Sequence, residues 1–167
     1  MKHEAIFEKD LANSRLKVKR KFDAPVEDVW DAWTKRELLD QWWAPRPYKA
    51  VTRSMNFREG GVWLYTMVGP EGDRQNCRVD YMVIAPQQHF TCTAVFCDEQ
   101  GQPNNDIPVM HWLKEFSGAG ETTTVNVTIS FDSVEDMEKI LSFGMQEGFT
   151  MALNNLDEFF AAREVTQ

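Results

Sequence analysis

The chain has 167 residues, of which 43% are hydrophobic and 12% aromatic, enough for one domain with a sizeable core and too apolar for a disordered chain. Its formal charge of −8 speaks against nucleic acid and anionic membrane surfaces as partners, since both are held chiefly by Lys and Arg. No apolar run approaches the roughly 20 residues that span a bilayer. The acidic N-terminus MKHEAIFEKDLANS lacks the apolar stretch of a signal peptide, so a soluble cytoplasmic protein is expected.

Residues 1–13 read as an N-terminal extension. From Ser14 to Phe22 the chain alternates, with Leu16, Val18 and Phe22 on one side and Arg15, Lys17, Lys19 and Lys21 on the other, which predicts a half-buried strand with a basic solvent face. Pro25 suits a first helical position, Glu27 and Asp28 favour the positive helix start, and Val26, Val29, Trp30 and Trp33 recur at helical spacing. Leu38, Leu39, Trp42 and Trp43 form a second short helix, stopped by Pro45 and Pro47. Strands follow near 48–57, 61–68, 75–85, 88–97, 108–117 and 122–131, separated by Gly-, Pro- and Asn-rich turns whose brevity implies an antiparallel meander. Ser133, with Asp136 three residues on, resembles a helix cap, and the chain from there to about Arg163 is predicted helical, leaving 164–167 as a tail. Residues 14–163 thus form a single domain.

Met145, Phe149, Leu153, Leu156 and Phe160 share one face of that last helix, and Gly144 and Gly148 lie on or beside it. The glycines imply a kink or close packing, or else room left for a ligand. Cys77, Cys92 and Cys97 have neither the number nor the spacing of a disulfide framework or zinc site and read as reduced apolar residues. No Ser-His-Asp or Cys-His pattern is legible, and three scattered histidines make no metal site. Arg53, Arg78, Asp80, His89, His111 and Glu115 are polar candidates in strand-like runs, expected to face solvent unless paired inside.

The segments FDAPVEDVWDAWT, LLDQWWAP, NFREGGVW, MVGPEG and GMQEGFTMALNNLDEF, in this order, resemble the activator of heat-shock protein 90 ATPase homologue-like proteins, a branch of the START-like (SRPBCC, helix-grip) superfamily. The resemblance covers about Leu16 to Ala162. It implies an α+β fold, with a curved seven-stranded antiparallel sheet wrapped around the long C-terminal helix, two short helices after the first strand, and an apolar cavity between sheet and helix. A chaperone contact is the partner the family name implies. The co-chaperone behind that name also uses a separate N-terminal domain, for which this chain has no room. The stretch Asp98–Pro108, longer than a tight hairpin, reads as a mobile rim.

Strand parity sketches the cavity. Trp63, Tyr65 and Met67 share a face, as do Cys77, Val79, Tyr81 and Val83, then Phe90, Cys92, Ala94 and Phe96, then Met110, Trp112 and Phe116. The expected ligand-binding set is Trp43, Phe57, Trp63, Tyr65, Met67, Tyr81, Phe90, Trp112, Met145, Phe149 and Leu153, with no catalytic or metal-binding residue and no cofactor. The partner read from this pattern is a small hydrophobic ligand, lipid-like or aromatic. Two other readings stay open: an interaction domain presenting Trp42, Trp43 and the 98–108 segment, and an enzyme of the cyclase or hydrolase type using buried polar groups. Homodimerisation is also left open.

Overall fold

The structure is a computed structural model that describes residues 3–166. Met1 and Lys2 of the expected extension and Gln167 of the expected tail lie outside the described residues. The elements in chain order are β1 (Ile6–Asp10), β2 (Arg15–Phe22), α1 (Val26–Thr34), α2 (Arg36–Trp42), β3 (Lys49–Met55), β4 (Val62–Val68), β5 (Arg74–Ala85), β6 (His89–Phe96), β7 (Met110–Ala119), β8 (Thr122–Ser130), α3 (Val134–Ser142) and α4 (Met145–Thr166). All strands join one antiparallel sheet in the order β1-β2-β8-β7-β6-β5-β4-β3, so the first long strand closes against the last.

The sheet has eight strands, not seven. The additional one, β1, lies in the expected extension and pairs Ile6 with Lys19 through Asp10 with Arg15. It is an edge strand with charged residues and Ile6 exposed, so it lacks the buried alternation that marks the inner strands. Alternation is cleanest in β2 and β8, whose inward residues Leu16, Val18, Val125, Val127 and Ile129 are all buried. Glu27 and Asp28 occupy the first turn of α1, but Pro25 stands at its N-cap and Val26 is the first helical residue.

The C-terminal helical region is two helices rather than one. Ser133 caps α3 by accepting from the Asp136 N–H at 3.1 Å, as its sequence position predicts. The helix then ends at Phe143, and Gly144 adopts φ +84°, a left-handed conformation that only glycine enters without strain. A Cβ on Gly144 would meet only the Glu147 carboxylate, at 3.8 Å, so its role is the change of direction and not close packing. A second departure lies in β5. The register shifts between Tyr81 and Ile84, and this bulge turns Val83 outward, so Val83 does not share the inner face of Cys77, Val79 and Tyr81.

Helix α4 lies along the inner face of the sheet, burying Phe149, Ala152, Leu153, Leu156 and Phe160. Buried polar groups fix its placement. The Asn155 amide donates to the Trp42 and Ala44 carbonyls at 3.3 and 3.0 Å, tying α4 to the end of α2. Arg20, only 2% exposed on β2, donates to the Asn154 side chain at 2.8 Å and pairs with Asp157 at 3.4 Å. The 98–108 segment is held by hydrogen bonds: Asp98 Oδ1 accepts from the Gln100 and Gln102 N–H groups, Arg78 donates to the Gly101 carbonyl, and Lys139 donates to the Asp106 carbonyl.

Candidate functional site

A cavity of about 380 Å³ lies between the first two turns of α4 and the inner face of β4–β7. Met145, Gly148, Phe149 and Ala152 form its helix side, and Tyr65, Met67, Cys77, Ala94, Phe96, Met110 and Trp112 its sheet side. Trp43 and Pro45, just past α2, close one end, while Ile140, Phe143 and Gly144 at the α3–α4 elbow and Ile107 complete the rim. Gln75 is an exposed residue of the wall, and Phe143 is a large apolar side chain left 57% exposed beside it. The break at Gly144 is what sets Phe143 at this rim.

Of the eleven residues expected from sequence, the structure brings Trp43, Tyr65, Met67, Trp112, Met145 and Phe149 to the cavity wall. The others pack elsewhere. Phe57, Tyr81 and Phe90 form an aromatic cluster with Trp30 and Phe116, with ring centroids 4.8 to 6.1 Å apart. Trp63 stacks on Tyr65 at 4.2 Å and donates its indole N–H to Thr52 Oγ1, whose hydroxyl in turn donates to Asp40. Leu153 is fully covered in the core. The elbow residues Ile140 and Phe143 were not anticipated, because a continuous helix would not have placed them around an opening, and Pro45 was read from sequence only as the stop of the second helix.

The tryptophan pair faces inward. Trp42 is 1% exposed and donates to the Ala32 carbonyl at 2.9 Å, while Trp43 donates to the Tyr65 hydroxyl at 2.8 Å. Neither forms an exposed contact patch. The polar strand residues lie outside the cavity wall: Arg78 pairs with Asp80, Arg53 donates to the Glu99 carbonyl, and His111 pairs with Asp132 at 3.0 Å.

Burial sets the chemistry of the wall. It pushes the Tyr65 hydroxyl well above its ordinary range and raises the Cys77 thiol to about 12, so both are protonated at neutral pH. They offer hydrogen bonds rather than charge. Among the described residues no group of three His, Cys, Asp or Glu side chains could hold a metal ion.

Behind this wall lies a residue that strand parity could have found. Lys114 follows Trp112 by two positions on β7 and points inward, 5% exposed. Its Nζ stands 4.8 Å from the ring centroid of Trp43, 5.0 Å from those of Trp112 and Phe90, and 5.3 Å from that of Trp33. Burial lowers its pKa, an effect the four ring faces partly offset because they attract a cation.

The sequence profile described as "Activator of Hsp90 ATPase homolog 1-like protein" matches residues 23–161, which include every cavity-lining residue. The chain belongs to this family. No curated protein matches it. Among solved structures, the Hsp90-activator-like chain is similar to a protein from Arthrobacter aurescens, with 28% identity over 91% of this chain and 88% of that one, and a TM-score of 0.87. Protein Ms6760 from Mycobacterium smegmatis is 26% identical over 92% and 94% of the two chains, with a TM-score of 0.85. A protein from Staphylococcus epidermidis is 25% identical over 94% of each, with a TM-score of 0.82. The fold is the helix-grip fold, here with β1 added at the sheet edge.

Proposed function

We propose that this domain binds one small hydrophobic ligand, lipid-like or aromatic, in the cavity between α4 and β4–β7. The observation that carries this reading is the cavity itself, about 380 Å³ with a wall of aromatic, methionine and aliphatic side chains and an opening beside Phe143. Its volume falls in the range of small-molecule sites, which are concave, mostly apolar and furnished with a few orienting polar groups. Tyr65, Cys77 and Gln75 would supply those groups. Met67, Met110 and Met145 add side chains that adapt to a ligand's outline. Family and fold support a domain of the ligand-binding type. No helix among the described residues is long and apolar enough to cross a membrane.

The inward placement of both tryptophans of the pair favours this reading over an interaction domain presenting them. Native mass spectrometry of the purified protein, with extraction of co-purifying molecules and a thermal-shift screen of apolar compounds, tests it. A bound metabolite or a saturable rise in melting temperature is expected, because a ligand that binds only the folded state stabilises it. An empty protein that no compound stabilises would overturn the reading.

A further inference from the structure

Lys114 and two indoles with unfilled N–H groups pack together at the Trp43–Trp112 end of the cavity. The Lys114 ammonium is enclosed by the rings of Trp33, Trp43, Trp112 and Phe90, and among the described residues no carboxylate or other oxygen accepts from it. The indole N–H groups of two of these rings, Trp33 and Trp112, are buried without an acceptor. Native interiors rarely leave buried donors unfilled, and a buried cation without a counter-charge is disfavoured more strongly still. Two of the rings around Lys114, Trp43 and Trp112, are themselves part of the cavity wall, so the cation stands beside the ligand space. The groups without an acceptor around this wall are donors, and Trp112 belongs to the wall itself, so a complementary ligand brings acceptors and negative charge.

We propose that the ligand is an apolar monocarboxylic acid, its carboxylate set against the Trp43–Trp112 wall and held by the charge of Lys114, with its hydrocarbon or aromatic body in the rest of the cavity. This rests on the cavity being the ligand site. A single charge matches the single cation. A phosphate monoester, with up to two charges to desolvate, would be left half compensated. In an interior of low dielectric the attraction reaches several ångströms without direct contact, where water would otherwise screen it.

Matched pairs of acid and neutral amide test the proposal: naphthaleneacetate with naphthaleneacetamide, and decanoate with decanamide, titrated calorimetrically into the full chain at neutral pH. The acid of a pair binds about tenfold more tightly than its amide, and Lys114→Met and Lys114→Gln bring that ratio to within about twofold of unity. Equal affinity of acid and amide for the unmodified protein overturns the carboxylate assignment and leaves the cavity reading standing. An acid preference that persists in both variants overturns the role of Lys114. Failure of all four compounds to bind removes the cavity reading and this proposal with it. Should neither variant fold, the ratio of acid to amide in the unmodified protein still supports or overturns the carboxylate assignment.

Discussion

The indole N–H of Trp43 donates to the Tyr65 hydroxyl at 2.8 Å, joining the residue that ends α2 to the middle of β4 across the cavity wall. Tyr65 is buried and Trp43 half-buried, so leaving either group unpaired carries a cost. The bond therefore fixes an indole that both lines the cavity and borders Lys114.

Tyr65→Phe deletes the acceptor while retaining the ring that stacks on Trp63. We expect a loss of about 1 to 3 kcal/mol in urea-unfolding stability, the usual consequence of orphaning a buried donor. A Trp43→Phe, Tyr65→Phe double variant should lose less than the sum of the two single changes. Additive losses would show that the bond does not couple them.

Two glycines of the elbow should respond to alanine with opposite signs. Gly144 adopts φ +84°, so Gly144→Ala is expected to destabilise by about 1 kcal/mol although space for the methyl exists. Gly148 lies within α4, and its added Cβ would meet Pro45 Cγ at 3.7 Å, an ordinary contact. Gly148→Ala should stabilise by up to about 1 kcal/mol through helix propensity. Thermal unfolding of the two variants checks the signs.

Lys114 makes stability depend on pH in a stated direction. Burial lowers its pKa in the folded protein, so between that value and the ordinary lysine range the unfolded chain binds more protons. The destabilising contribution is fully present below the folded pKa and is relieved as pH rises towards the unfolded one. Lys114→Met is therefore expected to be more stable than the unmodified protein at pH 7, with the advantage shrinking on the alkaline side. Comparing the two melting curves cancels the opposite trend from buried thiols and tyrosines, whose pKa values are raised. A difference that stays constant from pH 7 to 10.5 would contradict this account.

Thiol reactivity should follow burial. With its pKa near 12, Cys77 presents on the order of one thiolate in a hundred thousand molecules at neutral pH. Cys92 is buried too, whereas Cys97, just beyond β6, is only partly covered. Alkylation followed by peptide mass mapping should modify Cys97 well ahead of the other two.

Much of the fold was legible because the inner strands obey strict alternation. Leu16, Val18, Val125, Val127 and Ile129 mark their buried face without ambiguity. The strand Ile6–Asp10 escaped because an edge strand with charged, exposed residues carries no such signal. The bulge between Tyr81 and Ile84 reversed the side expected for Val83, since parity holds only while the register does. The α3–α4 break was written in the pair Phe143-Gly144, a glycine just past a helix end, but the continuing apolar spacing of α4 obscured it. That break decides which residues rim the cavity, so Phe143 and Ile140 were missed along with it. Lys114 was hidden by its own chemistry: a lysine between Trp112 and Phe116 suggests a solvent position, and only the period of two places it inside.

The central claim, that the cavity is the ligand site, is tested most directly by filling it. Ala94 lines the sheet side of the cavity, and Ala94→Trp would occupy much of the space. A compound that raises the melting temperature of the unmodified protein should be titrated calorimetrically into both proteins, after circular dichroism has confirmed that the variant is folded. The account predicts one saturable site in the unmodified protein and no detectable binding to Ala94→Trp. Equal affinity for the two would place the ligand elsewhere and contradict it.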